Sequence, residues 1–389
     1  MDGRKLQTEN NERMKIVYCI AGTFNPGGME RVLSNKTNYL AKHGHEVYIV
    51  TTDQRNQSSF FYFHPSIKHY DLGINYDENN GKGFFNKLIK FPGKQLLHRK
   101  KLSEFLIKLK PDITISMFNN DVSFIPNIKD GSKKVLEIHF SKFKKMQYQR
   151  KGLWKLADSW RTKEEEKWVK KFDRFVVLTE EDKCYWGNLQ NIEVIPNALS
   201  KIPETTSKLD IKNVVAIGRY NSQKGFDRLI DIWSVVHNEC PDWHLNILGE
   251  GDLKESLQRQ IDELNLSENV HLTRPTKDVE QIYLNSSILA LTSRYEGLPM
   301  VLLEAQSYGL PIVAYDCKCG PLDVITDGED GFIVRDGNKQ YFAEKIKQLI
   351  LSKDLRERMG KKGKAASFRF EEDKIMNRWI DLFQNLVEK

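Results

Sequence analysis

No apolar run in the 389-residue chain reaches the roughly 18 to 20 residues that a membrane span needs, and the start, MDGRKLQTENNER, lacks the apolar core of a signal peptide. The sequence therefore predicts a protein of the cytosolic side, with residues 1–13 as a disordered leader. Cysteine is scarce: Cys19, Cys184, Cys240, Cys317 and Cys319 are odd in number and form no Cys-x-x-Cys, which argues against a zinc site or a disulfide framework. Solenoid repeats and low-complexity runs are missing. The fingerprint Gly-x-Gly-x-x-Gly is also absent from the first strand-to-helix loop, which disfavours a nicotinamide enzyme.

What is present is charge, unevenly spread. The formal net charge is +7, with the positive excess in the first 200 residues and a mild acidic balance after them. Two adjoining domains facing different partners produce such a split, and so does a solvated surface with no partner. At 40% hydrophobic, a chain of this length can bury two cores. Short β-rich runs at 15–20, 46–52, 112–118, 134–140, 174–179 and 193–197 alternate with helical stretches, and a second alternating set begins at 213 after the polar spacer 200–212. The pattern predicts an α/β fold of two doubly wound parallel sheets, residues 14–200 and 213–370, facing a central cleft. Chemistry then belongs to the loops after the strands. Residues 371–389 read as an amphipathic helix that packs back toward the first domain.

Three loops stand out. In GTFNPGGMER, Gly27 and Gly28 open a helix whose amides can approach a phosphate or sugar closely, although the pair also suits a plain tight turn. In IGRYNSQKGFDRLI, Arg219 ends a strand and Lys224 precedes the next helix, a pairing suited to a diphosphate and also to two solvated cations. In EGLPMVLLE, Pro299 fits a first helical turn that leaves the amides of Met300 and Val301 free. Glu304 lies further in, where a carboxylate matches the vicinal hydroxyls of a ribose, and Glu296 can reach a sugar hung from the same diphosphate. The bland alternative is one helix-terminal acid and one exposed acid. The acidic DGED at 327–330 reads as a turn rather than a cation site.

GRYNSQKGFDRLI, followed some seventy residues later by EGLPMVLLE and GLPIVAYD, resembles the retaining glycosyltransferases of family 4, with their two Rossmann-like domains (the GT-B fold). The resemblance spans almost the whole chain, from AGTFNPGGMERV to DGEDGFIV. It implies transfer of a sugar from a nucleotide diphospho-sugar without a metal ion or other cofactor. Arg219 and Lys224 would neutralise the diphosphate, Glu304 would hold the ribose and Glu296 the donor sugar. His139, in EIHF, matches the histidine that the family places near the reacting sugar. Gly27 and Gly28 match the loop that closes over the donor, Gly249 its glycine turn, and Arg274 with Pro275 the place where the base packs. Gly297, Leu298, Pro299, Met300 and Val301 complete the expected donor contacts. The two cysteines of DCKCGPLDVI depart from the pattern and have no chemical account in the sequence.

A UDP-sugar is the donor implied by the polysaccharide-building members. The acceptor is expected to be a glycan, on a polyprenyl diphosphate, met at an anionic membrane surface. Segment 83–110 supports that expectation by mixing Phe84, Phe85, Leu88, Ile89, Phe91, Leu96 and Leu97 with Lys87, Lys90, Lys94, Arg99, Lys100 and Lys101. Pro92 and Gly93 would split it in two. The basic aromatic stretch 139–160 has the same character. Competing readings are a nucleotide-sugar epimerase of the same fold, which needs no acceptor surface, and a basic nucleic-acid binder, which gives Glu296 and Glu304 no role; no nucleic-acid partner is expected.

Overall fold

In the computed structural model, which describes residues 13–79, 84–144, 162–276 and 278–388, Lys15–Ile20 (β1) forms the middle of a seven-stranded sheet. Ile16, Val17, Tyr18 and Cys19 are all buried, as a parallel strand covered on both faces demands. The chain continues through α1 (Gly28–Lys42), β2 (Glu46–Thr51), β3 (Lys68–Asp71), α2 (Phe84–Leu109), β4 (Ile113–Ser116) and β5 (Lys133–Glu137). β6 (Arg174–Val177), α3 (Glu180–Trp186) and β7 (Ile192–Val194) complete the unit, and the strand order is β3-β2-β1-β4-β5-β6-β7 with parallel pairing throughout.

The second sheet has six parallel strands in the order β10-β9-β8-β11-β12-β13. Its elements are β8 (Asn213–Ile217), α4 (Phe226–His237), β9 (His244–Leu248), α5 (Lys254–Glu263), β10 (Val270–Thr273) and α6 (Val279–Leu284). β11 (Ile288–Leu291), α7 (Met300–Ser307), β12 (Ile312–Tyr315), α8 (Pro321–Val324), β13 (Gly331–Val334), α9 (Lys339–Leu351) and α10 (Lys353–Ser367) follow. In each sheet the winding reverses beside its first strand, between β1 and β4 and between β8 and β11. The loops after β1, β8 and β11 therefore open at switch points, where a crevice forms outside the strand ends. This is the GT-B fold.

The last helix, α11 (Glu372–Val387), places Ile375, Trp379, Ile380 and Phe383 in one apolar cluster with Ile16, Tyr18, Leu33 and Ile113 of the first domain.

One strand was not anticipated and one local expectation needs correction. β3 carries no hydropathy signal because all four of its residues are exposed at the sheet edge, and only pairing with β2 makes it a strand. The break expected at Pro92 and Gly93 is not there: α2 runs unbroken with Pro92 inside it. Both residues are exposed, so water can take up the carbonyl that a proline leaves without a donor. The expected leader, apart from Arg13, and residues 145–160 of the basic aromatic stretch lie outside the described residues.

Candidate active site

The loops after β8 and β11 are laced together before any side chain meets the cleft. Gly225 is left-handed (φ 65°), and a Cβ there would lie 2.2 Å from the carbonyl oxygen of Thr292, so only glycine lets the loops approach this closely. Thr292 Oγ1 donates to the Gly225 carbonyl at 2.9 Å, Arg294 N to that of Gln223 at 2.7 Å, and Gln223 Nε2 to that of Tyr295 at 3.0 Å. The lacing brings Lys224 Nζ to 2.6 Å from Glu296 Oε1, which also accepts from Ser293 Oγ at 2.6 Å. Two residues 72 positions apart thus form a pair, Glu296 buried and Lys224 half-buried, at the mouth of the second domain. Arg219, on the same loop as Lys224, is exposed.

The cysteine loop now has a structural account. Glu296 N donates to the Lys318 carbonyl at 2.8 Å and Cys319 N to the Glu296 carbonyl at 3.2 Å, so 317–320 is the clamp that fixes Glu296. Cys317 and Cys319 are buried, and Cys319 Sγ donates to Asp182 Oδ1 of the first domain at 3.6 Å. Burial pushes both thiols up, away from thiolate chemistry. Asp182 is itself pushed up to about 6 by burial, against the backbone bond from Lys142.

Pro299 caps α7 without a side-chain bond, and Met300 and Val301 open the helix at half-buried positions beside buried Leu298. Glu304, in the second turn of α7, is buried. Its Oε2 accepts from Tyr283 Oη at 2.6 Å, and Arg31 Nη1 on α1 of the first domain lies 2.8 Å from Oε1. A cavity of about 110 Å³ opens beside it, lined by both domains through Arg31, Asn35, Ser200, Tyr283, Met300 and Glu304. Gly249 is pinned by close approach, since a Cβ there would sit 1.9 Å from the Gly218 carbonyl oxygen. Arg274 and Pro275 are exposed, and Arg274 lines a groove of about 800 Å³ along β8, β9 and β10.

Across the cleft, Gly27 and Gly28 do different things. A Cβ on Gly27 would fall 2.1 Å from Glu30 Oε2, so the carboxylate of Glu30 folds back over it, whereas Gly28 has nothing within 4 Å. Burial raises the Glu30 carboxyl, opposed by a backbone hydrogen bond and by the charge of Arg219. His139 follows β5, its side chain 6% exposed, with Nε2 3.0 Å from Glu137 Oε1. The domains meet here: a Cβ on Gly297 would lie 2.5 Å from the backbone oxygen of His139.

Lys224 and Glu296 thus pair beside Gly297, which meets the backbone of His139, and Arg219 stands exposed on the loop that bears Lys224. Glu304 with the α7 start lies along the same face, and Arg274 with Pro275 sits apart at the end of β10. Sequence reasoning missed Glu30, Arg31, Lys36, Glu137, Asp182 and Tyr283. The only signal available was for Glu30 and Arg31, which follow Gly28 within the first turn of α1. DGED is a turn, with Gly328 N bonded to the Gly331 carbonyl and Asp330 Oδ1 accepting from Thr326 N at 2.8 Å. Among the described residues, no three His, Cys, Asp or Glu side chains cluster in a way that could hold a metal ion. No described helix is long and apolar enough to cross a membrane.

Comparison with known proteins agrees with this fold. Residues 26–200 match the model of "Glycosyltransferase Family 4" and residues 200–366 that of "Glycosyl transferases group 1". The chain is 30% identical over 372 residues to an uncharacterized glycosyltransferase of Haemophilus influenzae, covering 94% of this chain and 98% of that one. Over 221 residues it is 36% identical to the amylovoran biosynthesis glycosyltransferase AmsD of Erwinia amylovora, an alignment spanning 54% of this chain and 62% of that protein's length. A TarM variant of S. aureus, solved with fondaparinux, alpha-GlcNAc-glycerol and UDP, shares the fold with a TM-score of 0.73 at 20% identity, over 95% of this chain and 99% of that one. Two wound domains, each matched by its own half of one family signature, lead to one assignment: the chain belongs to the family 4 glycosyltransferases, group 1, of GT-B fold.

Proposed function

We propose that the protein is a retaining hexosyltransferase that takes its sugar from a UDP-sugar and passes it to a lipid-linked glycan in surface polysaccharide or glycoconjugate synthesis, capsule among them. The observation that carries this reading is the Lys224–Glu296 pair at the switch point of the second domain, in line with Glu304 and facing His139. Lys224 and Arg219 bind the donor diphosphate and offset the charge that grows on it as the anomeric C–O bond breaks. Glu304 accepts from the ribose hydroxyls and Glu296 from the donor sugar. The free amides at the start of α7 add a partial positive field. The acceptor oxygen attacks from the face that the phosphate leaves, and its proton passes to the departing phosphate oxygen. Charge and proton then balance without a metal, so EDTA should leave the rate unchanged.

UDP is favoured because the TarM complex of the same fold was solved with it. Thermal shift against UDP and GDP tests the choice: a ligand at 100 times its Kd adds about 2.7 kcal/mol. Stabilisation by GDP alone would sink it. A panel of UDP-hexoses with product analysis then identifies the sugar.

Cytoplasmic, peripheral membrane placement rests on α2. Phe91, Leu96 and Leu97 are 47%, 69% and 43% exposed beside exposed Lys90, Arg99 and Lys100. Lys94 is turned inward to the Asn75 carbonyl and Glu78, and Lys101 Nζ donates to the Leu72 carbonyl at 2.6 Å, so neither is free for lipid. The side chain of Lys87 lies outside the described residues. At about 1 kcal/mol per cation, changing Lys90, Arg99 and Lys100 to Gln should weaken flotation with anionic vesicles on the order of 10²-fold. Unchanged flotation would favour an acceptor met in solution.

A further inference from the structure

Behind His139 lies an ion pair that the fold itself does not need. Lys36 of α1 and Glu137 of β5 have side chains 6% and 1% exposed, and Lys36 Nζ donates to Glu137 Oε1. The residues around them include Tyr18, Leu33 and Trp379 of an apolar cluster. Two charges withdrawn from water in such a place are at best neutral against packed apolar side chains, so stability gives no reason to keep them. Lys36 is closed off further by the ring of Trp379, whose centre lies 3.7 Å from Nζ. That leaves it the carboxylate as its charged partner. The carboxylate, in turn, has a second neighbour: the same Oε1 lies 3.0 Å from His139 Nε2, a buried nitrogen that has no aligned hydrogen-bond partner among the described residues and for which this carboxylate is the acceptor within reach. Burial alone would raise Glu137, but Lys36 and His139 outweigh it and bring the carboxyl down to about 2, so it remains an acceptor at working pH.

We infer that Glu137, paired with Lys36, is a positioning residue that fixes the ring of His139 with Nε2–H turned inward. The inference rests on the transferase reading only for the consequence, that His139 stands beside the reacting sugar; the pairing itself rests on the 3.0 Å approach and the burial of both groups. A neutral imidazole whose Nε2 carries the proton presents Nδ1 as an acceptor. A ring fixed by a buried carboxylate loses no orientation when the cleft fills. The backbone carbonyl of the same residue faces Gly297 of the other domain, so a turn of this segment would misplace both groups at once.

Two double variants separate the pairing from mere core packing, because both remove the buried ion pair. Lys36→Met with Glu137→Gln retains an amide oxygen that can accept from Nε2–H; Lys36→Met with Glu137→Leu retains none. Folding is checked by thermal melting, and the His139 signal in ¹⁵N-imidazole spectra is identified by its loss in His139→Gln. The wild type and the Gln-bearing variant should show the Nε2–H tautomer. The Leu-bearing variant should lose it, with kcat down about 10- to 100-fold and the donor KM little moved. An Nδ1–H tautomer in the wild type overturns the inference outright, even should both variants fail to fold. Equal kcat in the two variants, or an unchanged spectrum in the Leu-bearing one, overturns it as well. If the wild type transfers from no nucleotide sugar while the spectra still differ as expected, the pairing holds and the transferase reading falls.

Discussion

Adding one methyl group at Gly297 should open the enzyme. A Cβ built there lies 2.5 Å from the oxygen of His139, 2.9 Å from its carbonyl carbon and 3.0 Å from the Cα of Phe140. All three are backbone atoms of the opposite domain, so no side chain can swing aside. Ordinary contact begins near 3.4 Å, and the two walls must therefore part by roughly 1 Å. Gly297 does not have a positive φ, so alanine is tolerated by the local backbone and the strain falls on the domain contact. Contacts across it include Arg31 to Glu304, Glu180 N to Asp323 Oδ1 at 2.7 Å, Cys319 to Asp182, and Lys318 over the rings of Phe143 and Tyr185. Overpacking of this kind costs about 1 to 3 kcal/mol, which lowers the closed population about 5- to 150-fold. A separation of 1 Å at the reacting centre is itself enough for a loss on the order of 10²-fold. Gly297→Ala should then lower kcat about 10- to 100-fold in a UDP-release assay. UDP binding by calorimetry should weaken less than about threefold, because the contacts proposed for the diphosphate and ribose lie within the second domain. Gly93→Ala is the control, since nothing lies within 4 Å of its added carbon and no donor contact is assigned to it. A kcat within twofold of wild type for Gly297→Ala would refute the idea that the cleft must close to this contact.

Three further outcomes are expected. The double variant Arg219→Ala with Lys224→Ala should lower kcat more than donor binding, since phosphate charge grows toward the transition state; full activity would remove both residues from the mechanism. Glu304→Ala should weaken UDP by about 1.5 to 3 kcal/mol but leave 2′,3′-dideoxy-UDP untouched, and an equal loss for both ligands would deny the ribose contact. Burial pushes Asp121 up to about 6 despite the 2.6 Å bond from Ser116 Oγ, so the folded protein retains a proton that the unfolded chain releases near its ordinary pKa of about 4. Its stabilising effect is complete below about pH 4 and is lost as pH rises through about 6. Asp121→Asn should therefore flatten the fall of the urea midpoint across that window, and an unchanged slope would contradict the assignment.

The α/β alternation was legible because parallel strands read as short apolar runs between helices of distinct period, and the run at 15–20 coincides with β1 to the residue. β3 was not legible, for its four residues are exposed and its strand character comes from β2. Pro92 misled for the opposite reason: a local breaking tendency was overridden in a helix held by its other turns, whose buried His98, Leu102 and Leu106 pack inward.

The sequence by itself determined the family, the two wound sheets and the loops that bear Gly27, Arg219, Lys224, Glu296 and Glu304, because those depend on local period, glycine and charge within a few residues. Only the tertiary structure decided what those side chains meet. Lys224 and Glu296 become a pair because β8 and β11 are neighbours in the sheet although 72 residues separate the two side chains. Arg31 reaches Glu304, and the oxygen of His139 meets Gly297, because two domains close on each other. Cys319 serves Asp182 and the clamp on Glu296 rather than any chemistry of its own. Contacts of this range are set by strand order and domain docking, and no window of sequence contains either.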